Sequence, residues 1–299
     1  MIRRALAVVV GLALVAVGCG TDEAPVQPDE EADRPFIIAT TALLGDVVEN
    51  VVGSFADVEV IVPVGADPTT FELTSRQRAR LGEAALIVSI GGGFEEAAEE
   101  DLDRAVAAGA ERFELAADVE DPLPGREDGT IDPYVWTDPE RTADLVLALG
   151  NRLGEASAVL ATAEVTDAAA AYARTLRETS QNMEARLAEL AIRAVATGER
   201  SFAYFAERFD LEIVGVVDAE GPPRFVTRAV REMDDAGTPV VLASTFEADG
   251  VAEVLAGQSE QTLEVQALHL DDLGEPTSAE GTYVGLLDEL ARQVRAELV

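Results

Sequence analysis

An alternation repeated along the chain restricts its fold more than any other feature. Short β-rich runs alternate with helical stretches, and such a pattern builds parallel α/β layers. Phe36–Thr40, Val58–Val64, Ala85–Ile90 and Arg112–Leu115 read as strands, with helices expected over Leu44–Val52, Thr74–Gly82, Phe94–Ala108 and Pro139–Leu153. From Thr166 to Ala194 the chain then carries neither Gly nor Pro. There Tyr172, Leu176, Met183, Leu187 and Leu190 recur at spacings of three, four and seven, which marks one apolar helix face. Helices of that length often bridge two lobes. A second series follows, with strands at Ala194–Thr197, Glu212–Val217, Val240–Ser244 and Leu263–Leu268 and a last helix over Tyr283–Leu298. The expected fold is α/β: two lobes (35–160 and 196–299), each a mainly parallel sheet flanked by helices, joined by one long interlobe helix (161–195).

Composition removes several functions. Of 299 residues, 57 are acidic and 22 basic, all of the latter Arg, for a net charge of -35. A nucleic-acid binder needs the opposite charge to neutralise phosphates. One Cys and one His exclude a disulfide framework, Cys-based zinc clusters and multi-histidine metal sites. Without Lys there is no Walker phosphate loop and no Schiff-base chemistry.

The N-terminus reads as an address. Arg3 and Arg4 precede an apolar run from Ala5 to Val17, too short to span a bilayer but suited to a signal peptide. Ala16-Val17-Gly18 then lead into Cys19, an arrangement that resembles a bacterial lipobox. On that reading 1–18 is a lipoprotein signal peptide, Cys19 is lipidated, and the acidic segment 19–34 is a flexible tether. The body then lies outside the cytoplasm, anchored to the cell membrane.

Four loops, each expected just after a strand, stand where open α/β sheets place ligands. They are Gly65-Ala66-Asp67-Pro68-Thr69, Asp132-Pro133-Tyr134-Val135-Trp136, Glu199-Arg200-Ser201-Phe202 and His269-Leu270-Asp271-Asp272-Leu273-Gly274. In order and spacing they resemble the solute-binding lipoproteins of zinc- and manganese-importing ABC transporters, the cluster A-I receptors, over essentially the whole mature chain. The resemblance implies a metal site in the interlobe cleft made of three His and one carboxylate. It also implies an ABC permease and ATPase as partners, a monomeric receptor and no enzymatic activity. The family's three His positions correspond to Thr69, Tyr134 and Glu199 here, and its carboxylate to Asp271.

Those substitutions change the chemistry. Imidazole suits Zn²⁺, whereas carboxylates suit harder cations such as Mn²⁺, Mg²⁺ or Ca²⁺. Two readings stay open. Glu199 and Asp271, helped by Tyr134 and Thr69, form an oxygen-rich site for a divalent cation (Mn, Mg or Zn). Alternatively no metal binds, Arg200 neutralises one of the two carboxylates, and the scaffold serves as a non-transport lipoprotein in adhesion, sensing or an accessory role. The one histidine, His269, is read as a strand-end residue rather than a ligand. Asp118–Asp132, where zinc-specific relatives often carry a His-rich loop, is acidic here, and acidic runs are usually solvated surface.

Gly91-Gly92-Gly93 lacks the dinucleotide pattern and is followed by Glu95-Glu96, so it reads as a tight turn. No Gly-x-Ser-x-Gly elbow exists for a serine hydrolase. Trp136 and Phe202 are expected to pack beneath the cleft.

Overall fold

The computed structural model describes residues 34–126, 128–198, 202–256, 258 and 263–299. The leader, Cys19, most of the tether, Glu199 and Arg200 lie outside the described residues. The first sheet is built from β1 (Phe36–Ala39), β2 (Asp57–Val60), β3 (Leu86–Ser89) and β4 (Arg112–Glu114), all parallel, in the order β2-β1-β3-β4. The second is built from β5 (Ala194–Thr197), β6 (Glu212–Val216), β7 (Val240–Ser244) and β8 (Glu264–Leu268), again parallel, in the equivalent order β6-β5-β7-β8. Each sheet is therefore doubly wound, with its order reversing beside the first strand of its series.

Helices cover both faces, which is why the inner strands are continuous apolar runs with no polar side. Between the strands of the first sheet lie α1 (Ala42–Val52), α2 (Ser75–Leu81) and α3 (Glu99–Ala107); α4 (Leu115–Asp118) and α5 (Pro139–Ala156) follow β4. The long helix α6 (Ala163–Leu187) lies between the lobes. In the second series α7 (Ala203–Arg208), α8 (Pro223–Ala236), α9 (Ala248–Leu255) and α10 (Tyr283–Leu298) complete the chain. Local chemistry sets the helix starts. Thr41, Asp138, Thr162 and Thr282 each offer a side-chain oxygen to an amide of the first turn, and Pro139 occupies the first turn of α5.

Alternate residues of the strands face different cores. Ile37, Ala39, Leu86 and Val88 of the first sheet join Val195, Val240, Leu242 and Leu268 of the second in one apolar cluster. Between them that cluster takes in Leu176, Met183 and Leu187 of α6 and Leu286, Leu290 and Val294 of α10. The opposite faces have smaller cores of their own, around Ile38, Ile87 and Leu102 in one lobe and Val226, Met233 and Val241 in the other. Residues 34–299 consequently form a single unit. Among the described residues no helix is long and apolar enough to cross a membrane.

The strand expected over Val58–Val64 is shorter, Asp57–Val60, and two helix boundaries move furthest. The long helix stops at Leu187 rather than near Ala194, because the Arg193 guanidinium turns back onto the carbonyls of Leu187 (3.4 Å) and Ala188 (3.2 Å). Such a cation on the last carbonyls ends a helix favourably. The expected helix from Phe94 begins only at Glu99. The preceding residues are turns, and the Glu95 side chain is spent on the Gly91 loop instead of the helix.

Candidate metal site

Parallel sheets present their ligand-binding edge at the carboxyl ends of the strands. On the second sheet that edge carries Ser244, the last residue of β7, and the loop His269–Gly274 after β8. Asp271 is only 2 % exposed, and the Ser244 hydroxyl donates to its Oδ2. Such a bond fixes the carboxylate's direction before any ligand arrives. The same hydroxyl accepts from the Phe246 amide at 3.3 Å, which holds the serine itself in place.

Asp271 lies between two bonds that cross from the first lobe. On one side the Trp136 indole Nε1 donates to the Leu270 carbonyl at 2.8 Å. On the other the Gly65 amide donates to Asp272 Oδ2. Gly65 has φ +83°, a left-handed conformation natural for Gly, and this lets the amide turn towards the other lobe. Burial pushes the Asp272 carboxyl above its ordinary range; the Gly65 and Leu273 amides and the neighbouring His269 oppose that rise. His269 is half-buried beside Asp272.

Trp136 sits on a short 3₁₀ turn, Val135–Thr137, just before α5, and Tyr134 is the residue that caps its start. The Tyr134 amide donates to Asp132 Oδ1 at 2.9 Å, an Asx-type bond that shapes the turn. Tyr134 is 6 % exposed, edge-on to Phe94 (centroids 5.6 Å apart) and tilted against Trp136 (4.9 Å). Trp136 also meets Phe94 edge to face, and Phe202 stacks on Phe205 at 4.3 Å, so both aromatics are packed as the sequence implied. Thr69 is half-buried; its hydroxyl and amide both donate to Asp67 Oδ1 (2.8 and 3.0 Å) and its carbonyl accepts from Ala97 at 3.2 Å.

The structure thus joins the segments of Tyr134 and Asp271 directly, through Trp136 and Leu270. It brings the Thr69 loop to the same place through Gly65 and Asp272. Glu199 lies outside the described residues, just after β5 and Gly198. Among the described residues no group of three or more His, Cys, Asp or Glu side chains is arranged to hold a metal ion. The expected ligand positions among the described residues carry oxygen atoms: the buried Asp271 carboxylate and the hydroxyls of Tyr134 and Thr69, the last of which donates to Asp67. Ser244 was missed at the sequence level. Its signal, a polar residue closing an otherwise apolar strand, is common to many strand ends.

Comparison with known proteins agrees with this architecture. The profile of the family described as zinc-uptake complex component A, periplasmic (ZnuA), matches residues 37–297. The chain belongs to the ZnuA family. It is 24 % identical over 286 residues to the manganese-binding lipoprotein MntA of Halalkalibacterium halodurans, covering 94 % of this chain and 93 % of the relative. It is 23 % identical over 277 residues to the iron-binding protein YfeA of Yersinia pestis, covering 87 % and 85 %. The periplasmic zinc-binding protein TroA of Treponema pallidum superposes with a TM-score of 0.78 at 19 % identity, over 89 % of this chain and 99 % of that one. ZnuA-family proteins are substrate-binding components of metal importers, not enzymes, and the two-lobe fold with its intervening helix is theirs.

Proposed function

We propose that this chain is the extracytoplasmic receptor of a metal ABC importer. In this reading it captures a divalent cation between its lobes on an oxygen-donor site, with Mn²⁺ as the best-fitting substrate. Asp271 is the central ligand, and Glu199, Tyr134 and Thr69 stand where the family's histidines stand. One observation carries the reading. Asp271 is buried, oriented by Ser244 and flanked by two interlobe hydrogen bonds, the preorganisation a cation ligand needs. Hard oxygen donors favour Mn²⁺ over Zn²⁺. The relatives described as binding manganese and iron support a cation other than zinc. Lipidation at Cys19, a monomeric state and delivery to a permease and its ATPase belong to the same reading.

The test is a thermal-shift panel of the chelator-treated protein with Mn²⁺, Mg²⁺, Ca²⁺ and Zn²⁺. A cation at a hundredfold excess over its dissociation constant stabilises the folded state by about 2.7 kcal/mol. Mn²⁺ is expected to give the largest shift, and Asp271→Ala and Glu199→Ala each to abolish it. No shift with any cation would overturn the receptor reading in favour of a lipoprotein that has lost its metal. A zinc shift removed by His269→Ala would relocate the site.

A further inference from the structure

The loops that hold the candidate ligands are not fixed by their own sheets alone. Tyr283, the first residue of α10, is fully buried, and its hydroxyl donates to the Trp136 carbonyl at 2.5 Å across 147 residues of sequence. Thr142 Oγ1, on α5, lies 3.0 Å from the same hydroxyl. Burial holds the Tyr283 phenol well above its ordinary range, so it stays a protonated donor. At its other end the Tyr283 amide donates to Asp46 Oδ2 of α1 at 3.1 Å, and that oxygen also accepts from the Tyr172 hydroxyl of α6 at 3.1 Å. A continuous series of hydrogen bonds therefore runs from the helix between the lobes, through Asp46 and Tyr283, to Trp136. From there the indole passes to Leu270, the residue before Asp271.

We propose that Tyr283 is a positioning residue for the cation site. Its hydroxyl sets the Trp136 backbone, and so the Tyr134 turn on one side and, through the indole, the Leu270–Asp271 segment on the other. This deepens the receptor reading and rests on it for the consequence to binding, though not for the positioning itself. The physical reason is leverage. The Val135–Thr137 segment is one short 3₁₀ turn outside both sheets, and a buried bond to its Trp136 carbonyl removes a freedom that packing alone leaves. Partners that orient a metal's ligands without touching the metal typically change affinity by about 10- to 100-fold.

Trp136 is the only tryptophan in the chain, so its fluorescence reports on this place alone. Tyr283→Phe keeps the ring and deletes the hydroxyl; Tyr172→Phe, at the far end of the series, is the comparator. Emission spectra are recorded without metal, and Mn²⁺ affinity is measured by calorimetry. Tyr283→Phe is expected to shift Trp136 emission and weaken Mn²⁺ binding about tenfold, while Tyr172→Phe lowers thermal stability with emission unchanged. Unchanged emission in Tyr283→Phe, or shifted emission with unchanged Mn²⁺ affinity, overturns the proposal. If the wild type binds neither Mn²⁺ nor any other cation of the panel but the emission shift occurs, Tyr283 still positions Trp136 and the receptor reading fails. Should Tyr283→Phe not fold, Thr142→Val perturbs the same hydroxyl; a smaller emission shift is then expected, and none overturns the proposal.

Discussion

The two lobes share one topology but use the equivalent edge of their sheets in opposite ways. In the first lobe the place where strand order reverses, beyond β1 and β3, is filled from within. The Glu95 carboxylate, 1 % exposed, accepts from the Thr40 hydroxyl (2.5 Å) and from the amides of Ile90 (2.8 Å) and Gly91 (3.0 Å). In the second lobe the corresponding edge carries Asp271, which accepts from Ser244 and lies between Leu270 and Asp272, both bonded to the first lobe. The same strand order thus gives one end closed by its own loop and one end tied to the other lobe. Glu95 is satisfied by donors of its own lobe, whereas Asp271 accepts from a strand-end hydroxyl and lies between residues bonded to the other lobe.

The largest effect expected from breaking this contrast is at Glu95. Replacing it with Ala strands three buried donors, each of which costs about 1–3 kcal/mol when left without an acceptor. Denaturant unfolding of Glu95→Ala is expected to show a loss on the order of 3 kcal/mol; a loss below that of an ordinary surface mutation would deny Glu95 its structural role. The pH dependence comes next. Burial raises the carboxyls of Asp46, Glu95, Asp138 and Asp272 above their ordinary values. The folded state therefore keeps protons that the unfolded chain releases, and stability falls as pH rises from the ordinary carboxylate value through the raised ones. Thermal melts should decline in midpoint as pH rises above the ordinary carboxylate range, and Glu95→Gln should flatten the slope.

Ser244→Ala sharpens the other side of the comparison. The lost hydroxyl should cost about 1 kcal/mol of stability and weaken Mn²⁺ binding by about tenfold or more, measured by melts and calorimetry together. An effect on stability alone would make Ser244 part of the scaffold. The smallest effect belongs to the ion pair between Arg126 of the first lobe and Asp218 of the second, 3.7 Å apart with the Arg side chain 45 % exposed. Arg126→Ala should change stability by about 0.5 kcal/mol or less, and a larger loss would give the acidic loop a fastening role between the lobes.

Much of the fold was legible because strand and helix periods differ and the chain keeps them separate. The Gly91-Gly92-Gly93 turn was legible too; all three residues adopt positive φ (73°, 63° and 85°). Glu95 was not. A glutamate beside Glu96 and just before Glu99 and Glu100 reads as the wet start of an acidic helix, and only its reach to Thr40 and the glycine turn distinguishes it. The early end of α6 was hidden for a similar reason, since Arg193 acts on carbonyls that sequence alone leaves inside the helix.

The sequence by itself determined two mainly parallel α/β series, a long intervening helix, and four loops whose order and spacing resemble a metal receptor's. It could do so because backbone periodicity and turn chemistry are local. Tertiary structure decided that the inner faces of both sheets share one core, that Asp271 is oriented by Ser244, and that Trp136 is held by Tyr283 and in turn holds Leu270. Those are contacts between residues far apart in the chain. Burial there makes a single hydrogen bond costly to lose, and no local pattern records which partner will satisfy it.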